Sequence, residues 1–167
     1  MNKTDLFDIK NIKPMLIGKE SAPFDDNNNL YELKWDGERC LAYLEPDKPP
    51  ELRNKRNIKM LPKVPELESI SRQVRHRCIL DGELLILKDG KPDFSLIQRR
   101  SMMADRFRIE LDAKQNPATF LAFDLLYYED ASTMLLPLTD RKELLSKAVA
   151  DSPSLAVSQY ISTQGTA

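Results

Sequence analysis

The sequence is poor in the residues that build cross-links and metal sites: its 167 residues hold two cysteines, one histidine and five glycines. Cys40 and Cys78 supply neither a disulfide framework nor a zinc set, and a single His76 excludes sites built from several histidines, including the His-pair zinc motifs. No apolar run approaches the roughly 20 residues needed to span a bilayer. The first dozen residues, MNKTDLFDIKNI, mix charge with apolar side chains and lack the apolar centre of a secretory signal, so the expected setting is intracellular, with no membrane association. A surplus of positive charge is also missing, since 25 Lys and Arg stand against 26 Asp and Glu. With 41% hydrophobic and 31% charged residues, the chain has enough apolar side chain to bury a core, and its length suits one domain or one large domain cut short.

The neutral total hides an uneven distribution. Arg53, Lys55, Arg56, Lys59 and Lys63 fall in one stretch free of acids, Arg72, Arg75 and Arg77 in a second, and Arg99, Arg100, Arg106 and Arg108 in a third broken only by Asp105. These stretches hold twelve of the 25 basic residues, so the positive charge is clustered. The second stretch reads as a solvated helix end.

No repeat, low-complexity tract or Ser/Gly linker divides the chain. Alternation over Leu30 to Trp35 and again over Arg39 to Leu44 predicts two strands. Pro46 to Pro50 and the basic stretch after it read as turn and loop, and Pro65 to Val74 has helical spacing. Cys78 to Leu87 predicts a strand ending in an Asp89-Gly90 turn. Phe94 to Arg100 reads as a short helix, Thr119 to Tyr128 as an apolar strand, Thr139 to Val149 as a helix with Thr139 as N-cap, and Leu155 to Ile161 as a last strand. The expected class is α+β, with mixed or antiparallel sheets and flanking helices.

Three of the five glycines follow Asp. Asp89-Gly90, between two lysines, is explained by a turn alone. Lys34-Trp35-Asp36-Gly37-Glu38-Arg39 instead sets an amine, carboxylates and a guanidinium around one turn, and Asp81-Gly82-Glu83 buries two acids in an apolar run, which is costly without a cation, a proton or hydrogen-bond donors. A lysine amine is a nucleophile only when deprotonated, and its ordinary pKa lies near 10.4, so partial burial and nearby cations are needed to activate it. A nucleotide supplies the electrophilic phosphorus, carboxylates hold a metal or ribose hydroxyls, and arginine clamps phosphate. At average residue usage, chance gives K-x-D-G-x-R in roughly one chain of this length in several hundred.

Glu32-Leu33-Lys34-Trp35-Asp36-Gly37-Glu38-Arg39 resembles motif I (E-x-K-x-D-G-x-R) of the ATP-dependent DNA ligases, covalent nucleotidyltransferases. The likeness continues in the family's order: Lys55-Arg56-Asn57 with Pro65-Glu66-Leu67 resembles motif Ia, with Lys55 for the usual Ser, Asp81-Gly82-Glu83-Leu84 motif III, and Phe120 to Leu126 motif IIIa. Pro14-Met15-Leu16, Pro23 to Asp26, and Leu136-Pro137-Leu138 with Arg141 also fit, and the similarity is closest to bacterial ligases of the end-joining and accessory kind.

The resemblance implies the nucleotidyltransferase (ATP-grasp-like) adenylation fold and assigns roles. Lys34 would attack the α-phosphorus of ATP and carry AMP, with Asp36 orienting the lysine loop. Glu32 would lie by the adenine and Phe123 would stack on it. Arg39 and Glu83 would contact ribose and phosphate, with Glu83 also the candidate ligand for Mg²⁺ or Mn²⁺. Arg56 would contact phosphate at the DNA nick. AMP would pass to a 5′-phosphate and the 3′-hydroxyl would displace it, sealing nicked double-stranded DNA in repair or recombination; a monomer is expected. Within the same superfamily, RNA ligases and GTP-using capping enzymes share K-x-D-G. The family's motifs IV (Glu-Gly) and V (K-x-K) and its oligonucleotide-binding domain have no counterpart before the chain ends at Gln164-Gly165-Thr166-Ala167, so residues 1–167 read as the N-terminal part of an adenylation domain. That leaves an inactive nucleic-acid-binding fragment as the reading outside the enzyme class.

Overall fold

A computed structural model describes residues 5–163 together with Gly165. Met1 to Thr4 of the amino-terminal segment, and Gln164, Thr166 and Ala167 at the point where motif IV is expected, lie outside the described residues. In chain order the elements are α1 (Leu6–Ile9), β1 (Tyr31–Glu32), β2 (Glu38–Leu44), β3 (Glu51–Asn54), three 3-10 turns between Leu61 and Gln73, β4 (Cys78–Lys88), β5 (Lys91–Pro92), α2 (Phe94–Met102), α3 (Arg106–Gln115), β6 (Ala118–Tyr128), β7 (Ala131–Ser132), α4 (Leu138–Ala148), β8 (Leu155–Val157) and β9 (Tyr160–Ile161). Among the described residues no helix is long and apolar enough to cross a membrane.

The main sheet runs β3-β2-β4-β6-β7, with β5 added to β4 and β8 to β6. All its pairings are antiparallel except β6 with β8. A second sheet pairs β1 with β9, Tyr31 opposite Ile161. The expected α+β class with mainly antiparallel sheets is what the chain forms.

The central strands are apolar on both faces because both faces are covered. On β2, Cys40, Ala42 and Leu44 join one core with Leu52, Leu67, Leu80, Leu84, Phe120 and Leu145, while Leu41 and Tyr43 point the other way to Phe7, Ile79, Leu126 and Tyr127. The first core is roofed by the 3-10 turns, α2 and α4, and the second by α1. Asp side chains start three of the helices: Asp5, Asp93 and Asp105 accept from the backbone N–H of Phe7, Leu96 and Arg108.

Two register shifts in the β4–β6 pairing decide where β6 sends its side chains. Gly82 pairs with Ala122 but Asp81 with Asp124, and Leu80 with Leu125 but Ile79 with Tyr127, so Phe123 and Leu126 are the extra residues. Each bulge reverses the alternation. Phe120, Ala122 and Leu125 therefore stay in the first core, while Leu126 and Tyr127 reach the second.

Several sequence expectations change. The strand expected over Leu30 to Trp35 is only two residues long, because Leu33 to Gly37 leaves the sheet to form the lysine loop. The stretch after Pro50 is not all loop: Glu51 to Asn54 pairs with β2, burying Leu52. Pro65 to Val74 folds as 3-10 turns, not as one helix. Thr139 does not cap α4; the cap position is Pro137, without a side-chain bond, and the Thr139 hydroxyl donates to Asp140. Leu155 to Ile161 splits at Ser158-Gln159 into strands of different sheets. Helices α1 and α3 were not foreseen. The Asp89-Gly90 turn is present, with both φ positive at 52° and 77°.

The mid-strand Gly82 serves packing. A Cβ there would meet the Leu121 carbonyl oxygen at 2.3 Å and the Phe120 ring at 2.7 Å. Gly82→Ala is expected to cost about 1–3 kcal/mol by overpacking, read as a lowered urea midpoint at unchanged slope; a midpoint equal to that of the unsubstituted chain would contradict this packing.

Candidate active site

The lysine loop is pressed onto β4 at Gly37. A Cβ at Gly37 would lie 2.3 Å from the Leu84 carbonyl oxygen and 2.8 Å from Glu83 Cγ, so only glycine lets the loop approach this closely. The other side of the loop is tied down by Trp35, whose Nε1–H donates to Ser158 Oγ (3.3 Å) in the segment linking β8 to β9. Lys34 is thereby held at the rim of a cavity of about 850 Å³.

Six of the seven residues singled out from sequence line this cavity: Glu32, Lys34, Arg39, Arg56, Glu83 and Phe123. Asp36 is exposed and is not part of the lining. Lys34 is exposed rather than partly buried. Arg39 and Glu83 are direct cross-strand neighbours on β2 and β4. Phe123, at the β6 bulge, has the Arg39 guanidinium 4.5 Å from its ring centre. Phe120 is fully buried in the core, so the two aromatic residues separate as alternation requires. Arg56 sits on a tight turn built by Asn54, whose side-chain oxygen accepts from the backbone N–H of Arg56 and of Ile58 (both 3.0 Å), with Asn57 at φ 62°.

Arg39 lines the cavity and is held by an ion pair to Asp81, which is buried beside it and is not part of the lining. Arg39 Nε and Nη2 donate to the two oxygens of Asp81 at 2.7 and 2.8 Å. Burial raises the Asp81 pKa although Arg39 opposes it, and the Arg39 pKa rises through the same pair although burial opposes it. Burial also pushes Glu83 up to about 7, only partly offset by the Arg39 charge and the Gly37 N–H. Among the described residues no group of three or more His, Cys, Asp and Glu is arranged to hold a metal ion. A single half-buried carboxylate beside phosphate oxygens is nevertheless what Mg²⁺ uses, and Glu83 fits that part.

Two features went unread in the sequence. Lys142, on α4, is buried and donates both to Glu32 and to the Phe123 carbonyl oxygen, so Glu32 enters the cavity already ion-paired. The only sequence signal was its place on the inward stripe of α4 with Leu145 and Ala148. Most of the clustered arginines are also spent internally. Arg100 is 0% exposed and binds Asp112 and Glu66, Arg53 pairs with Glu51, and Arg77, expected at a solvated helix end, binds Asp5, Asp130 and Tyr127.

Comparison with known proteins gives this arrangement a context. The family model "ATP dependent DNA ligase domain" matches residues 14–167. The chain is 35% identical over 142 residues to DNA ligase C of Mycobacterium tuberculosis, covering 84% of this chain and 38% of that protein. It is 30% identical over 155 residues to the SPbeta prophage-derived DNA ligase-like protein LigB of Bacillus subtilis, covering 92% and 53%. The solved structure of mycobacterial DNA ligase D complexed with ATP and MES shares the fold with a TM-score of 0.74 at 25% identity, over 94% of this chain and 48% of that one. The chain thus spans about half the length, or less, of these relatives, and its fold is the nucleotidyltransferase fold of ligase D.

Glu83 makes stability depend on pH. Its ordinary pKa of 4.5 applies in the unfolded chain, whereas in the folded chain it titrates at about 7. Between these values the folded chain holds a proton that the unfolded chain has released, so raising the pH lowers stability. The ligand-free chain should show a falling urea midpoint between pH 4.5 and 7, and Glu83→Gln should flatten that fall; the same pH profile in both proteins would contradict the assignment.

Proposed function

Because the chain belongs to the family of ATP-dependent DNA ligase domains, we propose that it carries the nucleotide site of an enzyme that seals nicks in duplex DNA through a covalent lysine–AMP intermediate. Residues 1–167 are in this proposal the N-terminal part of the adenylation domain. The carrying observation is the convergence of Lys34, Arg39, Glu83 and Phe123 on one cavity of about 850 Å³, a volume in the range of small-molecule sites.

In the first step the free amine of Lys34 attacks the α-phosphorus of ATP. An N–P bond forms, the bond to the bridging oxygen breaks, pyrophosphate leaves with the electron pair, and the amine proton passes to solvent. A 5′-phosphate oxygen at the nick then attacks the same phosphorus, the N–P bond breaks, and Lys34 regains a proton. The 3′-hydroxyl oxygen next attacks the DNA phosphorus: an O–P bond forms, the phosphoanhydride O–P bond breaks, AMP leaves with the electron pair, and the hydroxyl proton passes to solvent. A divalent ion such as Mg²⁺, held by Glu83, would offset charge on the phosphates.

This chain's own residues do the positioning. Phe123 offers an aromatic face to the base, and Glu32 a carboxylate to its edge. Arg39, fixed by Asp81, directs positive charge toward the ribose and phosphates. Lys55 and Arg56, exposed on the Asn54 turn, face the same cavity and have no ion pair among the described residues, which suits them to DNA phosphate.

Incubation with α-³²P-ATP and Mg²⁺ should leave label on the unsubstituted chain and none on Lys34→Ala; an unlabelled chain, even when extended through the following motifs, would sink the proposal. Phe123→Ala should raise the KM for ATP about tenfold, the loss of one stacking contact. Affinity for nicked duplex should fall with rising salt, and Arg56→Ala should lower the slope of log K against log salt by about 1; an unchanged slope would remove Arg56 from the DNA contact.

A further inference from the structure

Two consecutive residues of α4 hold two consecutive residues of the β6 bulge. Arg141 binds Asp124 through two bonds, Nε to Oδ1 at 2.8 Å and Nη2 to Oδ2 at 2.9 Å. Lys142 donates to the carbonyl oxygen of Phe123 and extends to Glu32 Oε1. The two cavity residues joined by this ammonium belong to different sheets, Glu32 to the β1–β9 pair and Phe123 to the main sheet. Lys142 is 3% exposed and occupies a place on the inward stripe of α4 where leucine would pack without an ion pair. Burying an ammonium is unfavourable unless anions and carbonyls accept its protons, and here both acceptors are residues of the nucleotide cavity.

We propose that Lys142 is a positioning residue for the purine base, and that through Glu32 it biases the cavity toward a base carrying an exocyclic amine. This rests on the nucleotide reading of the cavity. With Lys142 on Oε1, Glu32 lines the same cavity as Phe123 as an acceptor-only group with its second oxygen left over. Adenine presents an N–H₂ donor at its six-position, which matches that acceptor. Guanine presents a carbonyl oxygen there, which does not.

Calorimetric titration of the chain with ATP and with GTP tests this, using Lys142→Met, Lys142→Arg, Glu32→Gln and the double variant Glu32→Gln/Lys142→Met. Lys142→Met should weaken ATP at least about tenfold, equivalent to about 1.4 kcal/mol, and GTP by much less, so that the ATP preference shrinks. Lys142→Arg should retain most of the preference. The double variant should bind ATP no worse than the weaker single variant, because both act through one contact. Equal weakening of both nucleotides, additive losses, or an unchanged ATP-to-GTP ratio would each overturn the proposal. Where circular dichroism shows that Lys142→Met does not fold, Lys142→Gln, which keeps two N–H donors without the charge, is read by the same ratio. Failure of the nucleotidyl-transfer reading is visible separately, as an unsubstituted chain that binds ATP yet forms no Lys34 adduct; binding of neither nucleotide overturns both.

Discussion

The bidentate pair between Arg39 and Asp81 is the interaction on which the site depends. Asp81 lies in the middle of a mainly apolar strand, two residues from Glu83, and its side chain is 5% exposed. A carboxylate there is tolerated only with a cation beside it, and removing one partner of such a pair typically costs about 3–5 kcal/mol. The pairing fixes the Arg39 guanidinium in one place. From that place it covers one side of the Phe123 ring at 4.5 Å, which orients the aromatic wall of the cavity. It also leaves Glu83 short of charge compensation. Arg39 spends its two short bonds on Asp81, so Glu83 feels only the distant part of the guanidinium field and burial holds its pKa at about 7.

The same strands that form the core deliver the site, and irregularities in the strands make this possible. A regular β6 would place Phe123 and Leu125 on one face, and one of them would then leave its present surroundings. The register shift at Phe123 adds a residue, so Ala122 and Leu125 remain in the core while Phe123 lines the cavity. Gly82 lies at this same step, opposite Ala122, and the Phe120 ring fills the space a side chain would need. Core packing and ring placement are thus coupled through one strand pair. Arg141 and Lys142 then secure the bulge from α4, which ties the geometry of the cavity to a helix that contributes Leu145 and Ala148 to the core.

The long strands and six of the residues that gather at the cavity were legible in the sequence because each leaves a local signature. Cys78 to Leu87 and Thr119 to Tyr128 are largely apolar runs broken only by Asp81-Gly82-Glu83 and by Asp124, and the motif around Lys34 is a fixed spacing of charged groups. What escaped lacks such a signature. Helix α3 is mostly charged and exposed, with little apolar stripe, and its one clear mark is Asp105, which interrupts a basic stretch and caps the helix. The two-residue β1 and the split between β8 and β9 depend on pairing between segments about 130 residues apart. Lys142 escaped because a lysine on an inward helix face has no meaning until Glu32 and Phe123 are placed beside it. Asp36 shows the opposite case, a residue prominent in the motif but outside the cavity lining.

Near-neutral net charge is compatible with a locally basic cavity rim here because the fold sorts its arginines. Arg77, Arg99, Arg100, Arg106 and Arg141 are each matched by acids at fixed positions, joining α1, α2, α3, α4 and the sheet. Those pairs set acids directly against bases and contribute little field outside. The residues left without acid partners are then the ones that set the local potential. Lys55 and Arg56 are of this kind, and with Lys63, which donates to the Met103 carbonyl oxygen, they line the cavity together with Glu32, Glu38 and Glu83. A cavity bordered by unmatched cations concentrates the field of a few charges where low-dielectric walls screen them least. The charge relevant to an anionic ligand is therefore that of the cavity rim, set by which ion pairs the fold closes, and the total over 167 residues does not report it.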